Sequence, residues 1–206
     1  METKDRILEG AETLFMRYGI KSVTMDDIAR ELGISKKTLY QHVSNKNDLI
    51  GQIFGCRMDE EREEMEAIHR EATDAIDELL HIAKSVIRRL RKMSPAALFD
   101  LKKYHSAEWK AFETHHQNFI YQMIKRNIER GMEQGVFRTN LNPDIISKLY
   151  VGKTSLVADE DLFPLSEYNL EELFRQYILY HIHGIASMKG RQLLSEHMDG
   201  TLENID

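Results

Sequence analysis

An all-α fold of about nine helices is predicted by three features of this 206-residue sequence. Apolar residues recur at three- and four-residue intervals along most of the chain, as on one face of a helix. The alternation of a half-buried strand is sustained nowhere. Two of the 3 prolines follow directly on a capping residue, at Ser94-Pro95 and Asn142-Pro143, which is the signature of a helix start.

The elements follow in order. In "KDRILEGAETLFMRYG" the residues Ile7, Leu8, Ala11, Leu14, Phe15 and Tyr18 share one face, and Gly19 ends the helix. Thr24 with Asp27 approximates a capping box for a second, short helix, stapled by Val23 and Ile28 and closed by Gly33. Ser35 caps a third helix, "KKTLYQHV", with Ile34 and Leu39 at staple spacing. Two short helices joined through a glycine turn make a helix-turn-helix. Asn45 and Asp48 have capping-box spacing for a fourth helix. Residues 46–93 fit either one long helix or two, with a break near Thr73 favoured. "SPAALFDLKKYH" and "SAEWKAFETHHQNFIYQMIKRNIERGMEQG" follow, the latter ending at Gly131 or Gly135. "DIISKLYVGKTSLVA", a loop "DEDLFPLSEYN", and a last helix carrying Leu170, Leu173, Phe174, Tyr177, Ile178, His181, Ile182 and Ile185 complete the chain.

Charge is unevenly spread. The net charge is -6, yet residues 1–50 hold 8 Lys/Arg against 8 Asp/Glu, whereas 51–206 hold 20 against 26. Within the first part, Gly33–Lys46 carries three lysines and a histidine and no acid. The run Arg88–Lys92 reads as solvated surface that also suits a helix C-terminus. No stretch approaches the roughly 18 apolar residues of a membrane span, and the charged N-terminus is unlike a secretory leader, so a cytoplasmic protein is expected. The single cysteine, Cys56, forms no internal disulfide and has no metal-ligand spacing beside it.

On the third helix, Leu39 and Val43 point inward with Ile34, leaving Lys36, Lys37, Thr38, Tyr40, Gln41 and His42 outward. The N-terminal residues of a recognition helix reach base edges in the major groove. Lys36 and Lys37 suit guanine O6 and N7, Thr38 a phosphate or a thymine methyl, and Tyr40 and His42 phosphate oxygens. Lys46 joins its charge to the amides of the next helix start as a phosphate clamp. With the caps Thr24 and Ser35, these form the candidate DNA-binding set.

The stretch "VTMDDIARELGISKKTLYQHVSNKNDLI" resembles the DNA-binding signature of the TetR family of bacterial transcriptional regulators, the likeness covering about residues 5–55. "GVFRTNLNPDIISKLYVG" is similar to the segment that leads into the eighth helix of such proteins. The resemblance implies that Tyr40, His42 and Lys46 contact phosphates and that Lys36, Lys37 and Thr38 approach bases or backbone. Many members have a small residue, often glycine, where this chain has Lys37, so its operator preference is its own.

The resemblance divides the chain into a DNA-binding domain, residues 1–46 with the helix-turn-helix at about 24–43, and a helical ligand-binding and dimerisation domain, residues 47–206. Trp109, Phe112, His116, Phe119 and Met123 form an aromatic stripe at helical spacing, continued by His105, with the composition of a ligand pocket and equally of plain core. Ile146, Leu149, Tyr150, Phe174, Tyr177, Ile178 and His181 would form a four-helix interface with a second copy; intramolecular core is the alternative. The histidine pairs at 115–116 and 181–183 lack the i, i+4 spacing of a zinc-type motif, and no phosphate loop or nucleophile elbow is present. No catalytic residue, metal or cofactor is expected. The expected function is a homodimeric, ligand-responsive repressor of a palindromic DNA operator, released by a small-molecule effector. An activator or ligand-independent regulator, or a helical protein-interaction module, are the alternatives.

Overall fold

The computed structural model describes residues 3–91, 94–157, 159, 161–164 and 166–201. Among them are ten helices: α1 (Thr3–Tyr18), α2 (Met25–Glu31), α3 (Lys36–His42), α4 (Lys46–Glu71), α5 (Ala75–Leu90), α6 (Pro95–Tyr104), α7 (Ser106–Glu133), α8 (Pro143–Val157), α9 (Leu170–Ile185) and α10 (Met188–Thr201). The all-α class is the one that the apolar periodicity predicts, and α10 is additional to the nine helices it anticipates. Lys92, Met93 and Ala158, expected at helix ends, lie outside the described residues.

Local chemistry sets the boundaries. The break near Thr73 is real: α4 stops at Glu71, and Asp74 Oδ1 accepts from the amides of Ile76 (2.8 Å) and Asp77 (3.0 Å) to start α5. Ser94 caps α6 with Pro95 behind it. The helix α7 ends at Glu133, between the two glycines at which the sequence allows it to stop, and Gly135 at φ +71 then carries the chain out of the helix. The basic run is paired: Arg88 with Glu64, and Arg91 with Glu171 at 2.7 Å.

The chain forms two compact units. The first comprises Met1–Glu63 and Met93–His116. Its core gathers Ile7, Ala11 and Phe15 of α1, Ile28 of α2, Leu39 of α3, Leu49 and Ile50 of α4, and Ala97 and Leu101 of α6. The short helices α2 and α3 could not persist alone in water; burial of Ile28 and Leu39, each worth about 1.5–3 kcal/mol, holds them.

The second unit comprises Glu64–Lys92 and Gln117–Asp206. Ile76, Leu79, Leu80, Ile124, Ile128, Phe137, Ile182 and Leu194 make its core. A buried carboxylate must be paired, and Glu78 is: its Oε1 lies 2.8 Å from His69 Nδ1 and its Oε2 accepts from Arg130 at 3.0 Å. Arg130 also donates to the carbonyls of His69 (3.1 Å) and Ala72 (2.7 Å), closing the end of α4. The segment after α7 is sewn to the α9–α10 turn by Arg138 N–H to Ile185 O and Ser187 N–H to Val136 O, both 2.9 Å. That approach requires Gly190, whose Cβ, if present, would lie 2.0 Å from Val136 O.

Candidate nucleic-acid interface

Two caps position the helix-turn-helix. Thr24 and Asp27 form a complete capping box: Asp27 N–H donates to Thr24 Oγ1 (3.2 Å), while Asp27 Oδ2 accepts from Thr24 N–H (2.9 Å) and hydroxyl (2.6 Å). These bonds to its charged form hold the Asp27 carboxyl below the usual range. Gly33 at φ +63 makes the turn. Ser35 Oγ then accepts from Thr38 N–H (3.0 Å) and shares a 2.9 Å hydrogen bond with its hydroxyl.

On α3, Leu39 is fully buried and Val43 closes the helix beneath it. Lys36, Lys37, Tyr40 and Gln41 are exposed, and Thr38 and His42 are half-buried. The outward set is therefore the one that the i, i+4 spacing of Leu39 and Val43 predicts. Lys36 carries a partner that spacing could not show: its Nζ lies 2.5 Å from Asp26 Oδ2 at the start of α2. Lys37 makes no ion pair among the described residues and projects as the uncommitted cation of the face.

Lys46 differs from the expected phosphate clamp. Its side chain is half-buried and its Nζ donates to the carbonyls of Ile20 (2.5 Å) and Val23 (2.6 Å), with the Phe15 ring 5.8 Å away. Burial pushes its pKa down, opposed by the Asp100 carboxylate. In this structure Lys46 thus ties the α1–α2 turn to the start of α4. Around it, Asn47 Oδ1 lies 2.9 Å from His105 Nδ1, Asp100 Oδ2 accepts from Lys21 N–H (2.7 Å), and Lys21 Nζ donates to Tyr104 Oη (3.1 Å). These partners lie about 60 to 80 residues apart in sequence, and no local pattern could have paired them.

The aromatic stripe of α7 is divided between the two units. In the first, the Trp109 ring lies tilted 5.7 Å from Phe112, His116 stacks on Phe112 at 5.3 Å, and Phe54 of α4 lies 4.7 Å from Phe112. His116 Nε2 is 3.2 Å from Glu61 Oε2. His105 sits at the α6–α7 junction, its pKa lowered by burial and by the nearby Lys46. Met123 is core of the second unit and Phe119 packs against that core.

The candidate interface residues of α8 and α9 separate similarly. Tyr150, Phe174, Tyr177, Ile178 and His181 are buried within the chain, and Ile146 packs on the same core. Tyr177 Oη donates to Tyr150 O (2.8 Å), and the His181 ring meets the Tyr150 ring edge-on at 4.8 Å. Burial, with the charge of Lys153 second, lowers the His181 pKa to about 4. Only Leu149 of the set is outward, at 52% exposure, accompanied by Ile145, Leu156 and, on α9, Tyr180 at 68%.

Residues 7–53 match the family model described as bacterial regulatory proteins, tetR family. The HTH-type transcriptional regulator YvaF of Bacillus subtilis is 26% identical over 187 residues, covering 88% of this chain and 95% of that protein. The HTH-type transcriptional repressor KstR2 of Mycolicibacterium smegmatis is 22% identical over 91% of this chain and 92% of its own length. Among solved structures, a transcriptional regulator from Saccharomonospora viridis in complex with choline superposes with a TM-score of 0.73 at 21% identity, covering 89% of this chain and 97% of that one. That likeness is one of fold.

Proposed function

We propose that this chain, whose residues 7–53 match the tetR family of bacterial regulatory proteins, is a ligand-responsive repressor that binds a palindromic operator as a homodimer and is released by a small molecule. The observation that carries this reading is α3 itself: a helix capped by Ser35 and anchored by Leu39 that turns Lys36, Lys37, Tyr40 and Gln41 to solvent. Lys36 and Lys37 at its N-terminal end suit guanine, and Tyr40 and His42 suit phosphate. The exposed apolar residues Ile145, Leu149, Leu156 and Tyr180 supply the surface for a second copy. A two-fold pair of recognition helices reads half-sites about one turn of DNA apart. The repressor assignment draws on the similarity to the transcriptional repressor KstR2 of Mycolicibacterium smegmatis. The site of action is the cytoplasm. No helix among the described residues is long and apolar enough to cross a membrane.

For the effector we assign the first half of α7. Trp109, Phe112 and Phe54 offer aromatic faces, and Glu61 beside His116 supplies a carboxylate. Rings and an acid are the groups that hold an organic cation, and the Saccharomonospora relative holds choline. Release requires that the effector bind the free form better than the DNA-bound form. The test is a gel-shift titration against the DNA upstream of the protein's own gene, with and without choline and larger quaternary amines. Saturable binding that weakens with salt, and is reversed by one of these cations with quenching of Trp109, the sole tryptophan, supports the reading. Absence of binding to every fragment contradicts it.

A further inference from the structure

The α1–α2 turn and the last turn of α6 form an exposed cationic surface that the helix-turn-helix does not use. Lys21, Lys102 and Lys103 are all exposed there. Each ammonium is set over a ring: Lys21 Nζ 4.5 Å from the Tyr104 centroid, Lys103 Nζ 5.0 Å from Phe99 and 5.5 Å from Tyr104, and Lys102 Nζ 5.6 Å from Trp109. Phe99 and Tyr104 stay 57% and 44% exposed, an unusual display for large rings unless something covers them. The carboxylate at the centre, Asp100, is taken by the Lys21 amide.

We infer that this face of α6 is a second phosphate-contacting surface, which extends the grip on duplex DNA beyond the helix-turn-helix. The inference rests on the DNA-binding reading above and adds a site to it. Continuity is the first argument. Lys46, at the start of the helix that follows α3, is bonded to Ile20 and Val23, the neighbours of Lys21 and Ser22, and Asn47 pairs with His105 at the end of α6. The cations of α6 therefore border the α1–α2 turn and the start of α4, the helix that follows α3, within one compact unit.

Charge complementarity is the second. A chain of net charge -6 concentrates three lysines here, and duplex DNA offers a charge about every 1.7 Å along its axis. The third argument is donor chemistry. Lys21 Nζ donates to Tyr104 Oη, which directs the phenolic O–H away from the lysine and holds the phenol below its ordinary pKa range. A polarised O–H beside ammonium groups is a phosphate-oxygen donor. Resting the lysine stems on rings also restricts them before binding, lowering the entropy lost on contact.

The experiment measures equilibrium binding of the full chain to a random-sequence duplex of about 40 base pairs between roughly 50 and 200 mM salt. The parent is compared with Lys102→Gln/Lys103→Gln, with Lys102→Arg/Lys103→Arg and with Lys37→Ala. Losing two phosphate contacts from each protomer of the bound homodimer flattens the slope of log K against log salt by about 3.6, so the double glutamine variant loses roughly a hundredfold less affinity across that range than the parent. The arginine variant keeps the parental slope, and Lys37→Ala shows that the recognition helix still contributes. A parental slope in the glutamine variant overturns this inference alone. Failure of the parent to bind any duplex overturns the DNA-binding reading and this inference with it. If instead the glutamine variant keeps the parental DNA slope but loses binding to phosphatidylserine-containing vesicles, the face serves a membrane and the inference is equally overturned.

Discussion

Lys46 Nζ lies 2.6 Å from the carbonyl oxygen of Val23, the residue immediately before the cap of α2. A cation from the helix after α3 thereby fixes the entrance to the helix-turn-helix. Replacing it by an apolar side chain of similar length, Lys46→Met, leaves the carbonyls of Ile20 and Val23 without this donor in a half-buried place. The expected loss is about 1–3 kcal/mol of stability, read as a lower urea midpoint. DNA affinity falls for all sequences together. An unchanged midpoint would show that the bond contributes nothing.

The ion pair of Lys36 with Asp26, 2.5 Å long and exposed on both sides, holds a base-reading cation against an acid. Exposed pairs of this kind add little stability, so the carboxylate matters chiefly as a negative charge near DNA. Asp26→Asn is expected to tighten duplex binding several-fold at low salt and to steepen its salt dependence, with at most about 1 kcal/mol of helix stability lost. Weaker binding would mean that Asp26 orients Lys36 rather than restraining it.

His181 sets a pH dependence. Its pKa falls from 6.5 in the unfolded chain to about 4 in the folded one, so between these values the unfolded state binds more protons. Stability is fully present above pH 6.5 and is lost as pH falls towards 4. The loss attributable to this group is about 2 kcal/mol between pH 7 and pH 5. Urea titrations at the two pH values should show it in the parent, and His181→Phe, which keeps a ring against Tyr150, should shrink the difference by that amount. An equal difference in both proteins would place the effect elsewhere.

Gly190→Ala tests the docking of α10. The added Cβ would stand 2.0 Å from Val136 O and 3.0 Å from Val136 C, and backbone cannot rotate away as a side chain can. Destabilisation of about 1–3 kcal/mol is expected, with faster amide exchange in α10. Parental stability would mean that α10 shifts at little cost.

Much of this was legible in the sequence wherever the signal is local. Thr24, Ser35, Ser94 and Asn142 announce helix starts because a cap bonds an amide two or three residues away, and Leu39 with Val43 fixes the outward face of α3 by spacing alone. The helix α10 went unanticipated because Leu193 and Leu194 are nearly its whole apolar stripe; Gly190 is there for a close approach, which looks like helix-breaking in one dimension. Tyr150, Tyr177 and His181 were candidates for an interface because a stripe at helical spacing does not say whether its partner is another helix of the same chain. The carbonyl partners of Lys46 and the pairing of Lys36 with Asp26 escaped for a simpler reason: they are tertiary neighbours.

Recognition of DNA by α3 is tested most directly by methylation protection at guanine N7 on the DNA upstream of the protein's own gene. Protection is predicted in two major-groove patches roughly 34–36 Å apart, about one helical turn, with Lys37→Ala relieving particular guanines in both while leaving the others protected. Saturating binding without any protection in the major groove, or a pattern that Lys36→Ala and Lys37→Ala leave untouched, would contradict the assignment of α3 as the helix that reads DNA.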